Sequence, residues 1–173
     1  IARNQEGGLV AIETNTVSGS WNVKSSIIAG NRLDDVKGDF TSGGFNLIGK
    51  KDNSTGFTQP TDQTGTGAAP LDPRLDPAGL RDNGGPTPTI SLAPGSPAID
   101  RGTSDGLNGQ LNTDQRGTGF ARTHDNVALA NSAGGDGTDI GAYERNATDP
   151  IPPALLQLSA VTYSINENGG AAT

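Results

Sequence analysis

Ile27-Ile28-Ala29-Gly30-Asn31 decides how this chain is read, because two other stretches echo it. Ile1-Ala2-Arg3-Asn4 recurs further on as Ile28-Ala29-Gly30-Asn31, and Ile27-Ile28-Ala29-Gly30 echoes in turn at Leu47-Ile48-Gly49. Spacings of roughly 20 to 50 residues belong to solenoids, in which each repeat supplies short strands and an apolar face that only the next repeat covers. The aliphatic runs predict strands over 9–12, 21–28, 36–40 and 45–48, paired in parallel, with Ile12, Ile28 and Ile48 stacked inward. Asn4 and Asn31 then take equivalent corners, where Asn tolerates left-handed backbone and can hydrogen-bond along the stack.

Composition agrees with a turn-rich, all-β chain. Of the 173 residues only 31% are hydrophobic and 4% aromatic, so any core is narrow and aliphatic. The 26 Gly and 11 Pro punctuate short Val, Ile and Leu runs, as turns punctuate strands. A formal charge of −7 and a pI near 4.5 speak against a phosphate-binding surface, so no nucleic-acid partner is expected. Without Cys the chain cannot use disulfides, thiol chemistry or zinc–thiolate sites. It has no Met either, even at position 1, which predicts a mature or excised piece of something longer. No window approaches the roughly 18 to 20 apolar residues of a membrane span and no signal peptide opens the chain. Membrane insertion is therefore not expected, and the export signals of a secreted parent would lie outside this stretch.

Beyond the repeat of residues 1–50 the pattern changes. Residues 52–80 are rich in Thr, Gly, Asp and Pro, and Pro60, Pro70, Pro73 and Pro77 fix φ and remove ladder donors. The expectation for 51–145 is a loop-rich β cap over the open end of a solenoid, with its first part an ordered wrapping loop without regular strands. Short strands are expected over 87–92, 98–100 and 140–144. Residues 146–154, with Pro150, Pro152 and Pro153, read as a stiff extended linker. In 155–173, Leu158, Val161, Tyr163 and Ile165 punctuate an alternation that ends in Asn166-Glu167-Asn168-Gly169-Gly170, the pattern of one half-buried strand and its turn.

Several motifs stand in one order: DNGGPTPTISLAPGSPAIDRG at 82–102, TDQRG at 113–117 and DIGAYE at 139–144. Following a hydrophobic repeat, they resemble the closing segment, called the choice-of-anchor Q domain, of bacterial surface proteins built on a right-handed parallel β-helix. The resemblance covers roughly residues 20–145. Residues 158–170 resemble the opening strand of a Calx-β-type sandwich domain of bacterial adhesins. The first resemblance implies a short right-handed parallel β-helix end with a loop-rich β cap, placed in a secreted, extracellular protein at the cell surface, with a structural or adhesive role and no catalysis. It also implies attachment through interchangeable C-terminal anchors, yet no LPXTG-like motif is present.

Three constellations could carry chemistry. Asp105, Asp114, Asp125, Asp136 and Asp139 lie among Gly and Asn, and Gly134-Gly135-Asp136-Gly137-Thr138-Asp139 has the residue types of a calcium loop without EF-hand spacing or nonapeptide repeats. No cofactor is expected; calcium at Asp136 and Asp139 is the weak opening for one. Lys24, Asp34, Asp35, Lys37 and Asp39 supply residue types that β-helix enzymes use on acidic polysaccharides, but without an aromatic sugar cleft a solvated surface is the better reading. His124, the single histidine, reads as a solvated loop residue.

The favoured constellation is structural. Asp100, Arg116, Asp139 and Glu144 fall on the motifs that carry the resemblance, beside small residues that let backbone approach closely. A guanidinium offering five donors could cross-link carboxylates and carbonyls from segments far apart in sequence, so Arg116 is expected to be buried and bonded to at least one of Asp100, Asp139 and Glu144; the alternative is that each carboxylate caps its own turn. The expected partners are copies of this chain, with Leu158, Val161, Tyr163 and Ile165 forming a strand that exchanges head to tail into a filament. Surface polysaccharide is a second, weaker partner.

Overall fold

The computed structural model describes residues 2, 3, 5, 8–10 and 21–149. These residues are all-β, with nine short strands and no helix. The strands are β1 (Leu9–Val10), β2 (Trp21–Val23), β3 (Ile27–Ile28), β4 (Val36–Ser42), β5 (Leu47–Ile48), β6 (Asn53–Thr55), β7 (Gln63–Thr64), β8 (Asp105–Gly106) and β9 (Gly109–Gln110).

The first seven strands form two short parallel sheets. In one, β4 pairs with β1 at Leu9↔Val36, with β2 over Trp21↔Phe40 to Val23↔Ser42, and with β6 over Lys37↔Asn53 to Asp39↔Thr55. The other runs in the order β3-β5-β7, with Ile28 opposite Ile48 and Ile48 opposite Thr64. A parallel bridge joins Ala2 to Ala29. Both sequence echoes are therefore pairing registers, Ala2 with Ala29 for the first and Ile28 with Ile48 for the second. A parallel ladder stacks equivalent positions, so a side chain that suits one level recurs at the pairing interval.

The ladders continue past Lys50, where no strands were expected. β6 and β7 add a further level, and its interval, from Ile48 to Thr64, is shorter than the one from Ile28 to Ile48. Asn53-Ser54-Thr55 and Gln63-Thr64 are polar, so they carry no hydrophobic period, but ladder bonds need only backbone amides. Between them Gly56 (φ 98°) lets the chain pass so close to Phe40 that an added Cβ would lie 1.8 Å from its carbonyl oxygen. That passage seats Phe57 against Phe40, ring centroids 5.3 Å apart.

Left-handed backbone falls one position before the predicted asparagines, at Arg3 (φ 56°) and Gly30 (φ 70°). Asn4 lies outside the described residues. Asn31 is buried and closes a local turn, its backbone N–H and side-chain amide both donating to Asp35 Oδ1 at 2.9 and 2.8 Å. A second pair of left-handed corners, Ser25 (φ 50°) and Phe45 (φ 58°), repeats at the interval that separates Ile28 from Ile48. Beside it, polar groups stack along the ladder. Buried Asn46 accepts from Ser26 N–H at 3.1 Å and donates its amide to Val23 O, Ser42 Oγ and Asp62 Oδ1.

Adjacent side chains on a strand face opposite ways, and here both faces are covered. Ile28 and Ile48 pack with Val23, Val36, Phe40 and Phe57 in one core. Leu47 and Ala29 enter a second core made with Leu75, Leu92, Ala98, Ile99 and Ile140 of the loop region, with Ile27 packed against it. Ile12, the third member of the predicted column, lies outside the described residues.

Residues 65–149 contain one antiparallel hairpin, β8–β9. The strands expected over 98–100 and 140–144 are a turn and a bend, and 87–92 contributes only single antiparallel bridges, Arg81↔Thr89 and Leu75↔Leu92. Leu92, Ala98, Ile99, Ile140 and Tyr143 are buried without a ladder, so an aliphatic run bounded by Pro and Gly signalled burial here and not a strand. Residues 146–149, read as extended linker, form a turn in which Asp149 N–H donates to Asn146 O at 3.1 Å. The remainder of the expected linker, 150–154, and the strand of 155–173 with Leu158, Val161, Tyr163 and Ile165 lie outside the described residues.

Candidate functional site

The stretches that carry the sequence motifs meet in one place. Gly84 and Gly85 lie against the segment that bears Arg116: a Cβ on Gly85 would be 2.5 Å from Arg116 Cα, and one on Gly84 would be 2.6 Å from Phe120 Cζ. Asp100 donates its backbone N–H to Asp139 Oδ1 at 2.9 Å, and Arg116 reaches Glu144. Loops lacking ladders must find partners for their amides elsewhere, and here buried carboxylates supply them.

Arg116 is buried, and its guanidinium lies between two rings, 4.1 Å from the Phe120 centroid and 3.9 Å from that of Tyr143. Its edge is filled by Asp114: Nε donates to Oδ2 at 2.9 Å and Nη2 donates to the same oxygen at 2.6 Å. Nη2 also donates to the Glu144 main-chain carbonyl at 2.7 Å. Of the three expected partners Arg116 meets Glu144, through its main-chain carbonyl, while the carboxylate it binds is that of Asp114. Asp114 is preordered for this role, because it also accepts from Arg116 N–H at 2.8 Å in a local Asx turn and from Glu144 N–H at 2.9 Å. Burial pulls the Arg116 pKa down, but the Asp114 partner outweighs it and holds the guanidinium above its ordinary value.

The other three carboxylates form a separate buried group. Asp139 Oδ1 and Oδ2 accept from Asp100 and Arg145 N–H, and Glu144 Oε1 and Oε2 accept from His124 and Asp139 N–H, all at 2.8–2.9 Å. Asp100, itself at φ 55°, accepts from Asn126 N–H at 3.2 Å through Oδ1. The cation beside them is Arg122, which sequence reasoning did not single out. It is buried, donates to the Gly141 and Asp139 carbonyls at 2.8 and 3.1 Å, and stands 3.9 Å from Glu144 Oε2. Burial, with the Asp139 charge adding to it, pushes Glu144 up to about 8; burial likewise pushes Asp139 to about 7 against the amide bonds from Arg145 and Asp100.

The calcium candidates are otherwise engaged. Asp136 accepts from Ser104 N–H at 3.0 Å, from Ser104 Oγ and from Thr138 N–H at 3.3 Å. Burial raises its pKa, but these bonds outweigh it and hold the carboxyl below the usual range. Both Asp139 oxygens are taken as described above. Among the described residues no group of three or more His, Cys, Asp or Glu is arranged to hold a metal ion.

Of the residues considered for polysaccharide chemistry, Asp34, Asp35, Asp39 and Lys24 are tied to neighbours. Asp34 accepts from the Asn53 amide at 2.8 Å, Asp39 from Thr55 Oγ1 at 2.6 Å, and Lys24 pairs with Asp105 at 2.8 Å. Lys37 is exposed on β4, and His124 is exposed. A groove of about 610 Å³ runs between β2–β3 and the loop region, walled by Val23, Ile27, Leu80, Ile90 and Leu107. Among the described residues Lys24 is the only ionisable side chain in its lining. Beside it β2 has β4 on one side and no other described strand to pair with.

No protein-family model matches the sequence, and no curated protein and no solved structure matches it either. No helix among the described residues is long and apolar enough to cross a membrane.

Proposed function

We propose that this chain is the end of a secreted bacterial parallel β-helix, covered along one side by residues 65–149, and that it serves a structural or adhesive role outside the cell. The observation that carries this reading is the convergence of 82–102, 113–117 and 139–144, whose conspicuous polar residues are spent on one another and on backbone amides. Arg116, Asp114, Asp139 and Glu144 are buried, so they act on the fold before they act on any ligand. The successive parallel registers Ala2↔Ala29, Ile28↔Ile48 and Ile48↔Thr64 support the helix, and the second core supports a cap seated on its side.

The assembly that fits this role is strand addition: Leu158, Val161, Tyr163 and Ile165 of one copy pair, in the next copy, along the edge of β2 that no other described strand occupies. A head-to-tail contact of this kind does not close on itself and yields a filament. The test compares the full chain with a variant lacking residues 155–173, by electron microscopy and light scattering. Loss of long assemblies on truncation supports strand exchange. Unchanged assembly, or monomers before and after truncation, rejects it.

A further inference from the structure

Asp100, Asp139 and Glu144 bring three carboxylates into the interior, where the ion pairing they receive from the described residues comes from one buried guanidinium, that of Arg122. The charged groups that face them do not restore balance. Asp100 looks toward Asp125 and Asp139 on the acidic side, and toward Arg101 and His124 on the other. Glu144 faces Asp139 and Arg122, while Arg145 reaches Asp139 through its backbone N–H. Isolated buried carboxylates are costly to ionise, and neighbouring ones cannot all ionise cheaply.

The hydrogen bonds show where a proton fits. Both oxygens of Asp139, both of Glu144 and Oδ1 of Asp100 face N–H donors. Asp100 Oδ2 is buried and has no donor among the described residues, and Arg122 Nε likewise has no partner among them. A proton on Asp100 Oδ2 displaces no existing bond. We infer that the Asp100–Asp139–Glu144 cluster is a proton-keeping latch: the closed loop region retains at least one carboxylic proton at neutral pH, and losing it at alkaline pH loosens the junction of segments 96–102, 122–126 and 139–145.

Burial raises all three groups, Glu144 to about 8 and Asp139 to about 7. Because the three titrate together, these values describe a coupled group more than individual sites. A carboxyl whose folded pKa is raised binds its proton more tightly in the folded chain than in the unfolded one. Its contribution to stability is complete below the unfolded carboxyl pKa of about 4, and is lost as pH rises through 7 to 8. This is the reverse of an ordinary ion-paired Asp. Asp136, whose pKa is lowered, loses its contribution only in acid, outside this window.

The experiment measures the melting temperature of the full chain by circular dichroism from pH 5 to 9 at constant ionic strength, together with infrared spectra of the folded protein at pH 6 and 9. The expected result is a melting temperature that falls with rising pH and levels off near 9, and a protonated-carboxyl C=O band present at pH 6 and absent at pH 9. Asp100→Asn, which mimics the protonated acid, is expected to flatten the fall between pH 6 and 9. A melting temperature that is constant or rises over that range overturns the latch. So does absence of the carboxyl band at pH 6, a measurement on the unaltered chain that does not depend on the variant folding.

Discussion

Ile28 and Asp139 are both buried, and the means by which each is held distinguish the two halves of the molecule. Ile28 lies in a backbone ladder with Ile48 beside it, and its side chain packs in an apolar cluster. Asp139 has no ladder; its carboxylate supplies acceptors for Asp100 and Arg145 amides, and its own amide goes to Glu144. In residues 21–64 the main chain pairs largely in ladders, with Asn46 and Asp35 taking up amides at the corners, and apolar side chains fill the core. In 65–149 charged side chains do what neighbouring strands do elsewhere. A chain with few large apolar residues can thus order a long stretch of loop, provided that its carboxylates go inside with their donors.

Ile28→Asp breaks the contrast most severely. An unpaired carboxylate would enter an aliphatic core, and the expected outcome is loss of any cooperative melting transition by circular dichroism. In the loop region the largest effect is expected from Arg116→Ala, which orphans buried Asp114 and empties the space between Phe120 and Tyr143. Chemical denaturation should show a loss of about 3 to 5 kcal/mol. Arg116→Lys should recover little of it, since a point charge cannot bridge Asp114 and the Glu144 carbonyl while stacking on two rings.

Asn46→Ala tests whether the ladder half depends on polar staples as well. It removes the acceptor of Ser26 N–H and the donor to Val23 O, with an expected cost of about 1 to 3 kcal/mol by denaturation. The smallest effect belongs to Lys24→Ala, which breaks the pair to largely exposed Asp105 and should change stability by about 1 kcal/mol or less. A larger value there would mean that the packing of the Lys24 stem against Gly43 matters beside the ion pair.

The ladder was legible because parallel stacking writes its register into the sequence: the aligned Ala2 and Ala29, and Ile28 and Ile48, are the visible repeats. The level built by β6 and β7 was not legible, since Asn53, Ser54 and Gln63 contribute amides to the ladder and no apolar period. In the loop region the motifs marked the right neighbourhood. Arg116, Asp100, Asp139 and Glu144 are all buried there and Arg116 does reach Glu144, but the carboxylate that fills its edge, Asp114, stood outside that set. Asp114 reads in the sequence as one of the acidic residues weighed for calcium, and nothing there marks it as the partner of Arg116. Arg122 gave no signal in its polar stretch, because what makes it matter is the convergence of Gly141, Asp139 and Glu144 in space.

Ile27-Ile28 and Leu47-Ile48 are party walls between two rooms. Leu47 furnishes one and Ile48 the other, so the tandem apolar pairs cannot be edited independently. Deleting a single residue from the corner at 24–26 would reverse which side chain enters which room, because strand side chains alternate with a period of two. Cutting the chain after residue 64 would leave Ala29 and Leu47 facing water, turning a finished wall into an adhesive strip. Any shortened version of this protein therefore has to keep the loops that furnish the second room, however little regular structure they contain.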